Sequence, residues 1–230
     1  MLDPTRIRAI SLDLDDTLWP IWPTIERAER ALVGWMGEKA PMAAALFANP
    51  QACQALREHV KNTRPGLGHD LSAVRREAIR LALYRAGENP LLAEAAFEVF
   101  FAERHNVELF ADALPALQWL AQRYPVVALS NGNADVARVG LGNLFTASVS
   151  AASFGEGKPS VGIFRAAATA VGVAPHEVLH VGDDAHLDVL GALGAGMQAA
   201  WVNRDERTWD HGPQPHVTVT RLTELCDLLR

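Results

Sequence analysis

The chain has 230 residues, 49% hydrophobic and 21% charged, the mixture of a protein with a packed core rather than of a disordered one. A net charge of −6 argues against broad electrostatic attachment to nucleic acid or an anionic membrane. If such a chain handles phosphate, it must concentrate positive charge locally or recruit a cation.

Residues 7–14, IRAISLDL, alternate and then stop at an acidic cluster, as a central strand does at its carboxyl end. From residue 24 to about 104 the text changes character. Ile25, Ala28, Leu32 and Met36 fall at helical spacing, and breakers at Pro41, Pro50, Pro65-Gly66 and Asn89-Pro90 divide the stretch into four helices. It carries no strand signal and reads as a helical insertion. From residue 112 helix and strand alternate. DALPALQWLAQRY is an amphipathic helix with Leu114, Leu117 and Leu120 as its apolar stripe, and PVVALSNGN is a buried strand ending in polar residues. ASVSA is a shorter strand, and SVGIFRAAATAVG is a helix stopped by Gly172. EVLHVGDD is the next strand, followed by a helix ending near Gly194, then the strand AAWVN and a late edge strand HVTVT.

This order implies an α/β fold: a doubly wound, Rossmann-like parallel sheet core with an inserted α-helical domain. The expected boundaries are 1–19 with 107–230 for the core and 20–106 for the insertion. Ligands of such sheets bind beyond the carboxyl ends of the strands. Those ends read DLDDT, SNGN and GDD, so the site is expected there.

Asp13 and Asp15, two apart on extended chain, point the same way. Their repulsion calls for a divalent cation. Magnesium suits, since it takes oxygen ligands and few carboxylates. A third carboxylate is expected from Asp183 or Asp184. One aspartate then serves as nucleophile and its neighbour as proton shuttle. Asp16 and Thr17 read as caps of the following turn. For phosphate, Ser130 offers a hydroxyl and Asn131 and Gly132 their amides, beside helix N-termini that favour anions. Lys158, in EGKPS, supplies positive charge, with Pro159 in the first turn of the next helix. Asp188 is placed to pin Lys158. His59, His180 and His211 show no ligand spacing and read as surface or core.

Four motifs in order, DLDDT at 13–17, Ser130-Asn131-Gly132, Lys158-Pro159 and GDDAHLD at 182–188, resemble the haloacid dehalogenase superfamily of phosphohydrolases. The resemblance covers both ends of the chain, and the insertion resembles the helical cap of one subclass. It implies that Asp13 attacks phosphorus and that Asp15 protonates the leaving oxygen and then activates water. It implies magnesium held by the Asp13 carboxylate, the Asp15 backbone carbonyl and the Asp183 carboxylate. Ser130 and Lys158 would hold the phosphoryl oxygens, and Asp188 would orient Lys158; Asp184 and Thr17 are secondary. LSNGNA, VLHVGDDAHLDVLGA, GMQAAWVN and PHVTVTRLTEL resemble the branch acting on flavin mononucleotide and on 5-amino-6-(5-phospho-D-ribitylamino)uracil. In the insertion, His69 and Arg75 are the candidates for substrate contact, and Trp19 and Trp22 flank the expected hinge.

The expected partner is a small phosphorylated molecule, with no nucleic acid or membrane, for a monomer or homodimer. Cys53 and Cys226 stand far apart, as ordinary thiols of a reducing cytoplasm do, and MLDPTRIRAI lacks a signal-peptide pattern. Two alternatives stay open. A dehalogenase of the same superfamily needs neither metal nor the Asp15 shuttle. A phospho-acceptor receiver module needs its acidic pair on the first strand but its acceptor on a later one.

Overall fold

Four runs of the sequence are apolar enough to be buried on both faces, and they form the centre of a parallel sheet. In the computed structural model, which describes residues 1–230, these are β1 (Ala9–Leu12), β2 (Val126–Ser130), β4 (Val178–Gly182) and β5 (Gln198–Val202). The less buried β3 (Ala147–Ser150) and β6 (Val217–Val219) take the two edges. The order is β3-β2-β1-β4-β5-β6, all parallel. The first strand is therefore central, with β2 on one side and β4 on the other. The adjacent carboxyl ends of β2, β1 and β4 are those that read SNGN, DLDDT and GDD.

The chain divides into two compact units, Met1–Pro20 with Glu108–Arg230, and Ile21–Val107. The sheet unit holds α6 (Ala113–Ala121), α7 (Ala151–Phe154), α8 (Val161–Ala170), α9 (Gly191–Gly194) and α10 (Leu222–Leu228). Phe164, Ala167 and Ala168 of α8 join Val127, Leu129 and Ala199 in one buried cluster. On α6 the buried stripe is Ala113, Ala116, Leu117 and Leu120, while Leu114 is exposed. The expected Leu114-Leu117-Leu120 spacing drifts about 60° around the helix every three residues, so its first member leaves the core face.

The helical unit holds α1 (Ile21–Lys39), α2 (Pro41–Phe47), α3 (Pro50–Thr63), α4 (Leu71–Arg85) and α5 (Ala93–Arg104). Five helices stand where four were expected, because Pro41 and Pro50 each open a helix at its first turn and leave a short one between them. Thr24, Ala28, Leu32 and Met36 form the buried stripe of α1, with Ile25 only partly buried. Ala28, Leu32 and Met36 pack with Val74, Ile79 and Leu83 of α4 and with Phe97 and Phe100 of α5. Asn49 and Asp70 cap α3 and α4, each carboxyl or amide oxygen accepting from amides of the first turn. No helix is long and apolar enough to cross a membrane.

Candidate active site

Asp13 is the first residue past β1. Its amide donates to the Val181 carbonyl at 2.9 Å, which fixes it at the β1–β4 seam with its carboxylate buried. The chain then turns sharply. Asp16 adopts a left-handed conformation at φ 58°, which a short polar side chain tolerates, and its amide donates to the Trp19 carbonyl at 2.7 Å. The buried Trp19 indole donates to Asp15 Oδ1 at 2.9 Å. Asp16 opens the turn over residues 16–18, but Thr17 does not cap it. The fully buried Thr17 hydroxyl instead faces Asp183 Oδ1 at 3.1 Å and Asp13 Oδ2 at 3.4 Å, linking the first and third strand ends.

Lys158 lies between two carboxylates. Its Nζ donates to Asp13 Oδ1 at 2.5 Å and to Asp188 Oδ1 at 2.6 Å, with all three side chains buried. The loop that carries it is clipped to the second strand end. Asn131 Oδ1 accepts from the Lys158 amide at 2.6 Å, and Asn131 Nδ2 donates to the Lys158 carbonyl at 2.8 Å. Gly157 permits this clip, because a Cβ there would sit 2.6 Å from Asn131 Oδ1. Thus the Asn131 side chain holds the lysine loop. The Gly132 amide donates to Ser130 Oγ at 2.9 Å. Pro159 precedes the Ser160 cap of α8 rather than lying in its first turn, and the Lys158–Pro159 bond is cis.

The third strand end leads into a π-helical segment, Ala185–Leu190, in which the Asp188 and Val189 amides share the Asp184 carbonyl. Asp184 caps this segment, accepting from the His186 and Leu187 amides at 2.8 and 2.7 Å. Asp188 folds back over Gly182, where a Cβ would come within 2.3 Å of the Asp188 carboxyl carbon. Its Oδ2 accepts from the Asp184 amide at 3.0 Å.

Charge governs the centre. Burial opposes the charge on Lys158, yet Asp13 and Asp188 hold its ammonium above the usual lysine range. Burial also opposes the charge on Asp188, but Lys158 and a bond from His180 keep it well below the usual carboxylate range. Burial, with Asp188 and Asp183 nearby, pushes Asp13 well up against the pull of Lys158. Burial and the Asp188 and Asp16 carboxylates raise Asp183 to about 7. One lysine therefore does not neutralise the group. Carboxylate oxygens of Asp13, Asp183 and Asp188 lie within 4.8 Å of one another, and Asp188 is already bonded to Lys158. An all-oxygen donor set short of positive charge fits a hard divalent cation such as magnesium.

Asp13, Asp15, Ser130, Asn131, Gly132, Lys158, Asp183 and Asp188 line one cleft, together with Asp16 and Asp184. His69 and Arg75 belong to the helical unit. His69 is half-buried in the turn before α4. The Arg75 guanidinium pairs with Glu29 at 3.2 Å and lies 3.7 Å over the Phe100 ring. Of four residues that hold the site together, sequence reasoning passed over three and read the fourth, His180, only as surface or core. Trp201 Nε1 and Arg207 Nη2 donate to the Asp183 carbonyl at 2.8 and 3.1 Å. Arg204 donates to the Thr17 carbonyl at 2.9 Å while paired with Asp112 at 3.0 Å. His180 bonds Asp188 at 3.0 Å. Only the position of Trp201 on a strand next to the GDD strand carried a signal for any of them.

The sequence profile of the haloacid dehalogenase-like hydrolase family matches residues 7–196. The chain is 35% identical over 232 residues to the 5-amino-6-(5-phospho-D-ribitylamino)uracil phosphatase YigB of Escherichia coli, covering 97% of each. It is 33% identical over 250 residues to phosphoserine phosphatase of Thermus thermophilus, covering 95% of this chain and 98% of that one. The solved structure of a 2-haloacid dehalogenase from Pseudomonas syringae pv. tomato is similar at a TM-score of 0.92 and 35% identity, over 97% of this chain and 98% of that one. With a family profile spanning most of its length and full-length relatives above 30% identity, this chain belongs to the haloacid dehalogenase-like hydrolases.

Proposed function

We propose that this hydrolase is a magnesium-dependent phosphatase of small phosphomonoesters that works through an aspartyl phosphate on Asp13. The carrying observation is Lys158 bonded to both Asp13 and Asp188 at the meeting of three strand ends, with Asp183 beside them. Asp13 and Asp183, with the Asp15 carbonyl, would hold magnesium, which when bound supplies the positive charge that the acidic group lacks and that phosphoryl transfer requires.

In the first step an Asp13 carboxylate oxygen bonds to phosphorus as the ester oxygen departs, taking a proton from Asp15. In the second, Asp15 takes a proton from water, which attacks phosphorus and returns Asp13 as carboxylate with inorganic phosphate. The Trp19 indole holds Asp15 for both transfers. Lys158 and Ser130 bind the phosphoryl oxygens, and Asp188 and Asn131 fix Lys158 from its two ends. Catalysis is then mainly positioning and charge stabilisation.

The substrate assigned is a riboflavin-precursor phosphate or flavin mononucleotide. The Escherichia coli relative's named activity supports the first of these at full-length coverage, and His69 and Arg75 are the first residues to test for discrimination. The test is phosphate release from p-nitrophenyl phosphate with magnesium, followed by turnover across sugar phosphates, phosphoserine, nucleotides and flavin mononucleotide. Activity that vanishes with chelator and in Asp13→Asn, with flavin-type substrates leading, is expected; robust turnover by Asp13→Asn overturns the nucleophile. Carbon–halogen hydrolysis is the second reading, favoured by the name of the Pseudomonas structure. Chelator-insensitive turnover of 2-chloropropionate would establish it instead.

A further inference from the structure

Ser11 and His180 are direct partners on the central strands β1 and β4. Their paired side chains share one sheet face, and period-two alternation puts Asp13 and Gly182 on that face one step further on. His180 Nδ1 lies 2.8 Å from Ser11 Oγ, and His180 Nε2 lies 3.0 Å from Asp188 Oδ1. That oxygen also accepts from Lys158 Nζ, whose other partner is Asp13. Ser11, His180, Asp188, Lys158 and Asp13 thus form one unbroken, buried hydrogen-bonded line.

Donor and acceptor rules fix its direction. An ionised carboxylate only accepts, so His180 Nε2 carries the proton. Burial holds the ring neutral against the pull of Asp188, so Nδ1 has a lone pair, to which Ser11 donates. The ring plane is held edge-on to Phe164, at a centroid distance of 5.0 Å and 90°. Both Asp188 oxygens are then engaged, one by Lys158 and His180 and the other by the Asp184 amide. A carboxylate free to rotate could draw Lys158 away from Asp13; this one is fixed.

We infer that His180, set by Ser11, is a positioning residue that locks Asp188 and so holds Lys158 against the reacting carboxylate of Asp13. This rests on the phosphatase reading only for its kinetic arm. His180→Leu keeps an apolar filler beside Phe164 but removes the donor. It is expected to lower kcat on p-nitrophenyl phosphate about 10- to 100-fold, as loss of an outer hydrogen-bond partner does, with KM moving far less. His180→Gln, which retains an N–H, is expected to recover much of that loss. Ser11→Ala leaves the ring in place and covers the case in which His180→Leu does not fold; it too is expected to lower kcat. In 15N-labelled histidine spectra of the wild type, His180 should be protonated on Nε2 alone; Ser11→Ala should keep that tautomer, because Asp188 still accepts from Nε2, and shift the Nδ1 resonance through loss of its hydrogen bond. A folded His180→Leu protein with wild-type kcat, or a wild-type ring protonated on Nδ1, overturns the inference. A wild-type protein inactive on every phosphomonoester overturns the phosphatase reading instead, and the nitrogen spectrum still decides the role of the ring.

Discussion

The two units place their charges differently. In the helical unit the carboxylates of the ion pairs reach water, from Glu77 with 19% of its side chain exposed to Glu26 with 67%. In the sheet unit the central triad of Asp13, Lys158 and Asp188 has side-chain exposures of 9, 3 and 2%. An exposed pair contributes about 0–1 kcal/mol. A buried one gains little over an apolar replacement, yet losing one partner is severe. The helical unit is therefore held mainly by its apolar interior, where Leu32, Ile79, Phe97 and Phe100 meet. The sheet unit tolerates a concentration of charge that packing alone would exclude, and it does so only where chemistry is expected.

The strongest way to break this contrast is Lys158→Met. Leaving Asp13 and Asp188 buried without their shared cation should lower stability by about 3–5 kcal/mol. It should also reduce kcat on p-nitrophenyl phosphate about a hundredfold or more, and denaturant unfolding with turnover assays checks both. An unchanged midpoint would show that the buried charges are not coupled as described. Leu32→Ala probes the other unit and should cost about 2–5 kcal/mol by the same denaturant measurement, through the cavity it leaves. Gly182→Ala sharpens the contrast, since its new methyl would displace Asp188 and reduce kcat while most of the fold survives.

The metal-free protein offers a test by pH. Asp183 holds its proton up to about 7 when folded, against about 3.8 for the group in an unexceptional setting. Between those values the folded state binds the extra proton, so this residue's contribution to stability falls as pH rises. Relative to Asp183→Asn, the metal-free wild type should therefore lose Tm steadily from pH 4.5 to 7.5, and magnesium should restore it. A Tm difference independent of pH would remove the electrostatic argument for a cation. The smallest effect is expected from Glu77→Ala, which removes the surface pairs to Arg64 and Arg80 and should cost at most about 1 kcal/mol by thermal unfolding.

Much of the sheet was legible because buried parallel strands read as apolar runs that stop at polar residues, and the three critical stops lie on neighbouring strands. The helix count went astray because four breakers separate five segments, and a seven-residue helix is short enough to pass for a connection. Thr17 was misread for a different reason. Its role depends on Asp183 arriving from far along the chain, which local spacing does not encode. Arg204, Arg207 and His180 were silent for the same reason: an arginine in a loop and a histidine in an apolar strand look alike whether or not a distant carbonyl or carboxylate meets them.

The central place of β1 has a consequence for biosynthesis. The segment that carries Asp13 leaves the ribosome before its neighbours in the sheet, which begin only at Val126 and Val178. The entire helical unit, ending at Val107, is translated in the interval. An exposed hydrophobic segment must therefore wait while more than a hundred further residues are translated before any pairing partner exists, the interval in which a nascent chain is most open to chaperones and to aggregation.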